Sequence, residues 1–346
     1  MSPRVALLTV KSPTGEVGGA ERFYDGLTTA LNSSGIKTDC VDVTAEISGF
    51  DDILRSYLSF YDLDLSIYDG VISTKAPSFA ARHRNHAVYL LHTIRTFYDM
   101  FDDTFPHPSA DLIAQRDLVH RLDTAALSRP TIREVFVVGG EVKERLQTYN
   151  GIASKVLYHP TNQPTRQTGQ PNPRKGNYVL MPGRLHRWKR VDLVLEASRH
   201  LRSDLELIVT GVGDDEERLK SIATDMANVT FLGHVSDADL ANLYAGALAV
   251  AFSPIREDYG LITIEAFLNK KPVVTCTDSG EPAHIVKDGV NGFVCPPDPS
   301  AIAERLDWLF ENATKAKQMG AEGKKFATQI GWESVCSTLV HSLNLD

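Results

Sequence analysis

The sequence contains few cysteines, and they form no recognisable pattern. Cys40, Cys276, Cys295 and Cys336 are widely spaced, with no CxxC pair among them. A disulfide framework and a cysteine-based zinc site are therefore not indicated. This usage favours a reducing compartment, and we predict a cytoplasmic protein.

The sequence also lacks long apolar runs and an excess of basic charge. No run approaches the ~18 apolar residues of a membrane span, and Val5–Val10 is too short for a signal peptide. Any membrane contact is therefore expected to be peripheral, at the inner face. A formal net charge of −8 argues against general nucleic-acid binding, so no nucleic-acid partner is expected.

Motifs of dinucleotide and metal enzymes are missing as well. There is no GxGxxG with a following acid, which a Rossmann epimerase or oxidoreductase would need, and no HExxH. Two DxD pairs occur, Asp62–Asp64 in an irregular segment and Asp237–Asp239 in the opening turn of a predicted helix. Acidic residues suit the dipole at a helix start. Both pairs are interpreted as structural, and neither a metal nor a cofactor is predicted.

What the sequence does contain is an alternation of strands and helices over 346 residues, a length that suits about two domains. Near the N-terminus, a strand, a glycine-rich loop with Gly18 and Gly19, a helix and a second strand predict the start of a doubly wound sheet. Adjacent glycines let a phosphate approach the backbone closely, although a tight turn alone would also need them.

A proline-rich polar stretch divides the chain. Residues 161–176 are predicted to link a first domain, 1–160, to a second, 177–331. The second domain alternates strands and helices regularly, which predicts another parallel sheet with right-handed crossovers. Two similar α/β domains suggest a ligand shared between them.

The stretch from Arg256 to Glu265 is the most informative of the chain. It follows an apolar run that predicts a buried strand, and Gly260 in it precedes a predicted helix. The N–H groups at the start of a helix favour an anion. Glu257 and Glu265 would repel that anion, so sugar hydroxyls are the natural partners of these carboxylates. The alternative interpretation is a solvated loop acid and a helix-surface acid.

Basic residues and a histidine complete the candidate site. Arg184 and Lys189 follow a predicted strand and could neutralise a diphosphate without a metal, whereas either alone is typical of a protein surface. His92 lies where another predicted strand, 87–92, opens into a loop. This is a position suited to chemistry, although most single histidines are structural.

Six ordered stretches resemble motifs of the retaining GT-B glycosyltransferases, glycosyltransferase family four. Glu257 and Glu265 are similar to the family's EX7E signature, and Arg184 with Lys189 to its GRL…K segment. The further similar stretches are Gly18–Arg22, Val229–Val235 and Asp288–Val294, and His92–Thr93 is similar to the active-site histidine. The chain departs from the family at Gly280-Glu281 and at Asp258-Tyr259-Gly260.

The resemblance implies a GT-B fold, with two doubly wound Rossmann-like domains facing across a cleft. It implies an acceptor-side first domain, to which residues 332–346 cross back, and a second domain that binds the nucleotide sugar. The implied reaction is sugar transfer with retention, from a UDP- or GDP-linked sugar to a glycan, lipid-linked or small-molecule acceptor in polysaccharide or glycoconjugate biosynthesis. The alternative is a non-catalytic nucleotide-sugar or glycan-binding protein.

The resemblance also implies individual roles. Glu257 would contact the donor sugar, Glu265 the ribose, and Arg184 and Lys189 the diphosphate, while His92 would lie at the reacting face. The remaining donor-binding residues implied are Gly18, Gly19, Gly211, His234, Val235, Gly260, Leu261 and Ile262.

Overall fold

The structure, a computed structural model, describes residues 2–11, 19–45, 49–162 and 177–345. They divide into two compact units. The first unit comprises Met1–His159 and Gly331–Asp346, and the second comprises Pro160–Ile330. Each unit has its own parallel sheet with helices around it.

The first unit is built on a six-stranded sheet in the order β2-β1-β3-β4-β5-β6. Its strands are β1 (Arg4–Lys11), β2 (Lys37–Thr44), β3 (Gly70–Ser73), β4 (His86–Leu90), β5 (Ile132–Val137) and β6 (Lys155–Val156). The helices between them are α1 (Gly19–Ser33), α2 (Phe50–Tyr61), α3 (Phe101–Thr104), α4 (Ala110–Leu127) and α5 (Gly140–Asn150). All pairings are parallel, and the central strands β1, β3 and β4 are almost fully buried, as expected for strands covered on both faces.

The second unit also has a six-stranded parallel sheet, in the order β12-β11-β10-β7-β8-β9. Its strands are β7 (Tyr178–Met181), β8 (Glu206–Val209), β9 (Val229–Phe231), β10 (Ala249–Ala251), β11 (Val273–Cys276) and β12 (Gly292–Cys295). Its helices are α6 (Val191–Arg199), α7 (Glu216–Ile222), α8 (Asp237–Gly246), α9 (Leu261–Leu268), α10 (Glu281–Ile285), α11 (Pro299–Glu311) and α12 (Ala313–Ala327). The strand order reverses between β7 and β10, and open α/β sheets bind ligands at such a switch point, beyond the carboxyl ends of the strands.

The last helix, α13 (Trp332–Ser342), is part of the first unit. Its apolar side, with Val335 and Leu339 buried, packs next to α1. The indole of Trp332 stacks on the His159 ring at 5.8 Å between centroids. Beyond the helix, the Leu343 carbonyl accepts a hydrogen bond from Asn85 Nδ2 at 2.8 Å. The segment from α13 onwards therefore completes the hydrophobic packing of the first unit, whose strand β1 lies more than three hundred residues earlier in the chain.

Candidate active site

The candidate site of the second unit lies at the switch point of its sheet. The loop after β7 carries Arg184 and Lys189, and the loop after β10 carries Glu257. Since β7 and β10 are neighbours in the sheet, their carboxyl ends bring these two loops together. Lys189 and Glu257, 68 positions apart in sequence, are therefore adjacent in the fold.

An ion pair joins the two loops. Lys189 Nζ donates to Glu257 Oε1 at 2.8 Å and to Oε2 at 2.7 Å. The two side chains are 25% and 19% exposed, so the pair is sheltered but reachable from solvent. The ammonium also lies 5.6 Å from the centre of the Phe252 ring. An ammonium and a carboxylate held at this distance offer a phosphate-binding group and a hydroxyl-binding group side by side.

The backbone around Glu257 is tied to the loop after β11. Glu257 N–H donates to the Ser279 carbonyl at 3.0 Å, and the Glu257 carbonyl accepts from Glu281 N–H at 2.9 Å. Gly280 between them has a φ of +70°, and a Cβ there would lie 2.5 Å from Glu257 backbone atoms. The glycine is therefore required by close backbone contact. Glu281 takes part through its main chain, so a glutamate where the family has glycine is compatible with this bridge.

Gly260 begins the approach to α9 in a left-handed conformation, with a φ of +75°. A Cβ on it would lie 2.7 Å from Pro282 Cγ, so both backbone angle and space favour glycine. Glycine has no side chain that could cap the helix. The first-turn N–H groups of Leu261 and Ile262, both half-buried, are therefore suited to an anion.

Three glycines bring the loops after β7, β8 and β9 into contact. Gly211 N–H donates to the Gly233 carbonyl at 2.7 Å, and a Cβ on Gly211 would lie 2.0 Å from the Gly183 carbonyl oxygen. A Cβ on Gly183 would lie 2.9 Å from Ile262 Cδ1, which places this loop against the start of α9. Close packing thus requires glycine at position 211, in addition to the predicted contact of Gly211 with the nucleotide sugar.

The side chains next to these glycines are accessible. Arg184 and His234 are exposed, and Val235 is half-buried. All three follow the carboxyl ends of strands at the same edge of the sheet. A diphosphate and a base could therefore reach these residues, as their predicted contacts require.

Glu265 is oriented by two hydroxyl groups. Tyr244, on α8, donates to Oε2 at 2.8 Å, and Thr161 donates to Oε1 at 3.2 Å. Burial and the neighbouring Glu265 carboxylate raise the pKa of Tyr244 well above its usual value, so this phenol stays a donor at neutral pH. Sequence reasoning missed both hydroxyls, because they come from positions remote from the Glu257–Glu265 motif.

The first unit carries the other predicted residues. His92 follows β4 by two residues, and its Nδ1 lies 2.9 Å from the Thr93 carbonyl. Gly19 is the exposed first residue of α1, the helix that follows β1. Both therefore belong to the carboxyl-end edge of the first sheet, whereas Gly18 lies outside the described residues. The predicted strand 87–92 ends at Leu90, so His92 is a loop residue.

The two DxD pairs have local structural roles. Asp62 is the C-cap of α2, and Asp64 accepts from Ser66 N–H at 3.0 Å. Asp237 and Asp239 lie in the first turn of α8, where Ser236 caps the helix by accepting from Asp239 N–H at 3.1 Å. These contacts agree with the interpretation of both pairs as structural acids.

The second unit is similar to a known protein family. Residues 162–326 match the family model for glycosyl transferases group 1. The matched region lies entirely within the second unit. The match supports the sequence-based prediction of a glycosyltransferase.

Curated relatives extend the similarity at lower identity. The chain is 28% identical over 209 residues to the alpha-1,3/1,6-mannosyltransferase ALG2 of Homo sapiens, covering 53% of this chain and 50% of that protein. It is 25% identical over 273 residues to the D-inositol 3-phosphate glycosyltransferase of Mycobacterium tuberculosis (strain F11), covering 74% of this chain and 56% of the relative. The chain thus spans about half the length of the curated relatives it matches.

Solved structures are similar over nearly the whole chain. Anabaena Alr3699/HepE, solved with UDP and glucose, has a TM-score of 0.72 at 18% identity and 99% coverage of both chains. Sucrose-phosphate synthase from Thermosynechococcus elongatus has a TM-score of 0.75 at 16% identity, with 98% of both chains covered. The GT-B fold class predicted from the sequence is thereby confirmed. No helix within the described ranges is long and apolar enough to cross a membrane.

Proposed function

We propose that the protein is a retaining glycosyltransferase that takes a hexose from a nucleoside-diphosphate sugar, UDP- or GDP-linked. The acceptor would be a glycan, a lipid-linked molecule or a small molecule, in polysaccharide or glycoconjugate biosynthesis. The observation that carries the proposal is the Lys189–Glu257 ion pair. It lies on the two loops at the switch point of a sheet whose unit matches the group 1 glycosyltransferases.

The two partners would separate their roles when the donor binds. The diphosphate carries more negative charge than one carboxylate, so it would take Lys189 away from Glu257. Glu257 would then be available to accept hydrogen bonds from the sugar hydroxyls. The ion pair would thereby hold both groups in place until the donor arrives.

Catalysis would come from stabilising the departing nucleoside diphosphate. Lys189, the exposed Arg184 and the N–H groups of Leu261 and Ile262 would interact more strongly with the leaving group as its charge grows. One preorganised donor of this kind can contribute ~2.7–4 kcal/mol to the barrier. With these charges supplied by the protein, the reaction would need neither a divalent metal nor a cofactor.

The remaining residues would hold the rest of the donor. Glu265, oriented by Tyr244 and Thr161, would accept from the ribose hydroxyls. The segment with His234 and Val235, together with Gly211, would border the base. HepE, a protein of similar fold, has been solved with UDP and glucose, which supports a nucleotide sugar as the ligand class.

The first unit would supply the acceptor side. We assign His92 to the reacting face, with the Gly18–Gly19 backbone close to the donor phosphates. The acceptor would attack the sugar on the same face from which the nucleoside diphosphate departs, since no carboxylate is assigned as a covalent nucleophile. We place the protein in the cytoplasm, with peripheral contact at the inner face of a membrane if the acceptor is lipid-linked.

The first test is a calorimetric binding screen of UDP-, GDP- and ADP-sugars. We expect one nucleotide class to bind. Lys189→Ala should weaken that binding by about 10- to 100-fold, because a hydrogen bond to a charged group contributes ~1.5–3 kcal/mol. The matched control is Lys315→Ala, which removes an exposed lysine on α12 and should leave the affinity unchanged. Equal affinity of the Lys189→Ala variant and the wild type would exclude the proposed site, as would binding of none of these sugars.

A further inference from the structure

Arg190 directly follows Lys189 and has an unusual backbone conformation. Its φ is +49°, in the left-handed region that non-glycine residues seldom adopt, and it precedes the first residue of α6. A left-handed residue without glycine's freedom persists only where its surroundings hold it in place. The contacts of the Arg190 side chain show what these surroundings are.

The guanidinium of Arg190 binds two other loops at once. Nε donates to the Ser253 carbonyl at 2.7 Å and Nη2 to the Pro254 carbonyl at 2.9 Å, just beyond β10. Nη1 and Nη2 donate to the Asp278 carboxylate at 2.7 Å and 2.6 Å, on the loop after β11. The side chain is only 14% exposed. Arginine can serve all these acceptors because its donors form a rigid planar fork.

The Glu257 side of the ion pair mirrors this arrangement. Arg256, immediately before Glu257, also has a left-handed φ of +45°. Its N–H donates to the Asp278 carbonyl at 2.9 Å. Asp278 therefore binds Arg190 through its side chain and Arg256 through its main chain, and so connects the residues adjacent to both partners of the ion pair.

We propose that Arg190 is a positioning residue that fixes the Lys189 and Glu257 loops relative to each other. This role rests on the proposed function, and it concerns the alignment of these two groups in the transition state. The ammonium of Lys189 is on a flexible stem and can reach a diphosphate from several loop positions. The Glu257 carboxylate has a shorter stem and depends on its backbone. Loss of Arg190 should therefore reduce turnover more than nucleotide affinity.

The competing explanation is that Arg190 serves only to begin α6 and does not position the two loops. The variant Arg190→Gly distinguishes these two explanations. Glycine adopts a positive φ without strain, so it preserves the local backbone and removes only the fork. If the backbone alone matters, this variant should equal or exceed the wild type in stability and activity. The matched control is Lys270→Gly, which replaces another left-handed residue, with a φ of +57°, at an exposed position after α9.

We expect Arg190→Gly to keep a wild-type melting temperature within a few degrees and to lose about 10- to 100-fold in kcat, as a small misplacement of reacting groups does. Its affinity for free nucleoside diphosphate should change by less than about threefold. Arg190→Lys keeps the charge without the fork and should not restore kcat. Lys270→Gly should match the wild type. Wild-type kcat in Arg190→Gly would overturn the proposal.

A second measurement tests the Arg190 clamp, meaning its hydrogen bonds to Ser253, Pro254 and Asp278, even if the wild type turns over no nucleotide sugar. Hydrogen exchange, followed by mass spectrometry, should show faster exchange in residues 253–258 of Arg190→Gly than in wild type, with no change in Lys270→Gly. Unchanged exchange would refute the clamp itself. Faster exchange in a protein without turnover would refute the proposed function and leave the clamp in place.

Discussion

At the scale of single residues, the site depends on charged side chains that are paired with each other but remain partly exposed to solvent. Lys189 and Glu257 are partly exposed, and a pair of this kind contributes only about 0–1 kcal/mol to stability. Replacement of the Glu257 carboxylate by a diphosphate as the partner of Lys189 therefore costs little free energy. Glu265 is different, because Tyr244 and Thr161 orient it in advance of any ligand. The two glutamates of the motif thus have different supports, in line with their different proposed partners.

The phenol of Tyr244 should affect nucleotide binding through Glu265. Tyr244→Phe removes one hydrogen bond to the carboxylate oxygen Oε2 of Glu265 and leaves the ring in place. We expect about a 2- to 10-fold weaker Kd for free nucleoside diphosphate with kcat unchanged, since loss of the orienting contact costs the ligand only part of the ~1.5–3 kcal/mol of a hydrogen bond to a charged group. Calorimetry and steady-state kinetics measure the two quantities.

Tyr178→Phe is the matched control for this variant. The Tyr178 hydroxyl is also buried, and it donates to the Leu243 carbonyl of α8 at 2.6 Å. It should leave the nucleotide affinity as in the wild type. Equal losses in both variants would show that general packing of α8, and not the orientation of Glu265, sets the affinity.

At the scale of secondary-structure elements, the apolar runs predict the strands well because strands buried on both faces must be apolar throughout. The loops are harder to predict. Nothing in the composition indicates a left-handed backbone at Arg190 and Arg256, since glycine is the usual signal for it. The Tyr244 bond to Glu265 spans 21 positions, and the Thr161 bond spans 104, so neither follows from a local pattern. Motif residues could thus be found from sequence, whereas the residues that orient them could not.

The element-scale prediction concerns α13. Leu339 is fully buried on this helix, and its truncation to alanine should cost about 2–5 kcal/mol through lost burial and a residual cavity. We expect the melting temperature to fall by about 5–15 °C. Because α13 belongs to the first unit, hydrogen exchange should accelerate in β1 and stay unchanged in β10. The control Leu309→Ala, a fully buried leucine of α11, should produce the reverse pattern. Acceleration confined to β10 in Leu339→Ala would contradict this assignment.

At the scale of the whole molecule, the two units differ in how far their chemistry is defined. The family match at residues 162–326 lies in the second unit, which carries every proposed side-chain contact to the nucleotide. The first unit lies outside that match, and its sheet has a different strand order, with a switch between β1 and β3. The proposed donor chemistry therefore comes from motifs. No acceptor could be proposed in the same way, because the first-unit loops match no motif outside Gly18–Arg22 and His92–Thr93.

The most direct test is turnover of the nucleotide sugar found in the binding screen, measured as nucleoside diphosphate release in excess EDTA for wild type and Glu257→Gln. We predict turnover in the wild type at a rate within about twofold of that without EDTA, since the protein's own cations stabilise the leaving group. Glu257→Gln should lose at least about 100-fold in turnover, the scale of a lost preorganised group. It should bind nucleoside diphosphate as tightly as the wild type or more so, because Lys189 no longer has a competing carboxylate. Near-normal turnover by Glu257→Gln would contradict the account, and so would wild-type turnover that stops in EDTA and returns with Mg²⁺ or Mn²⁺.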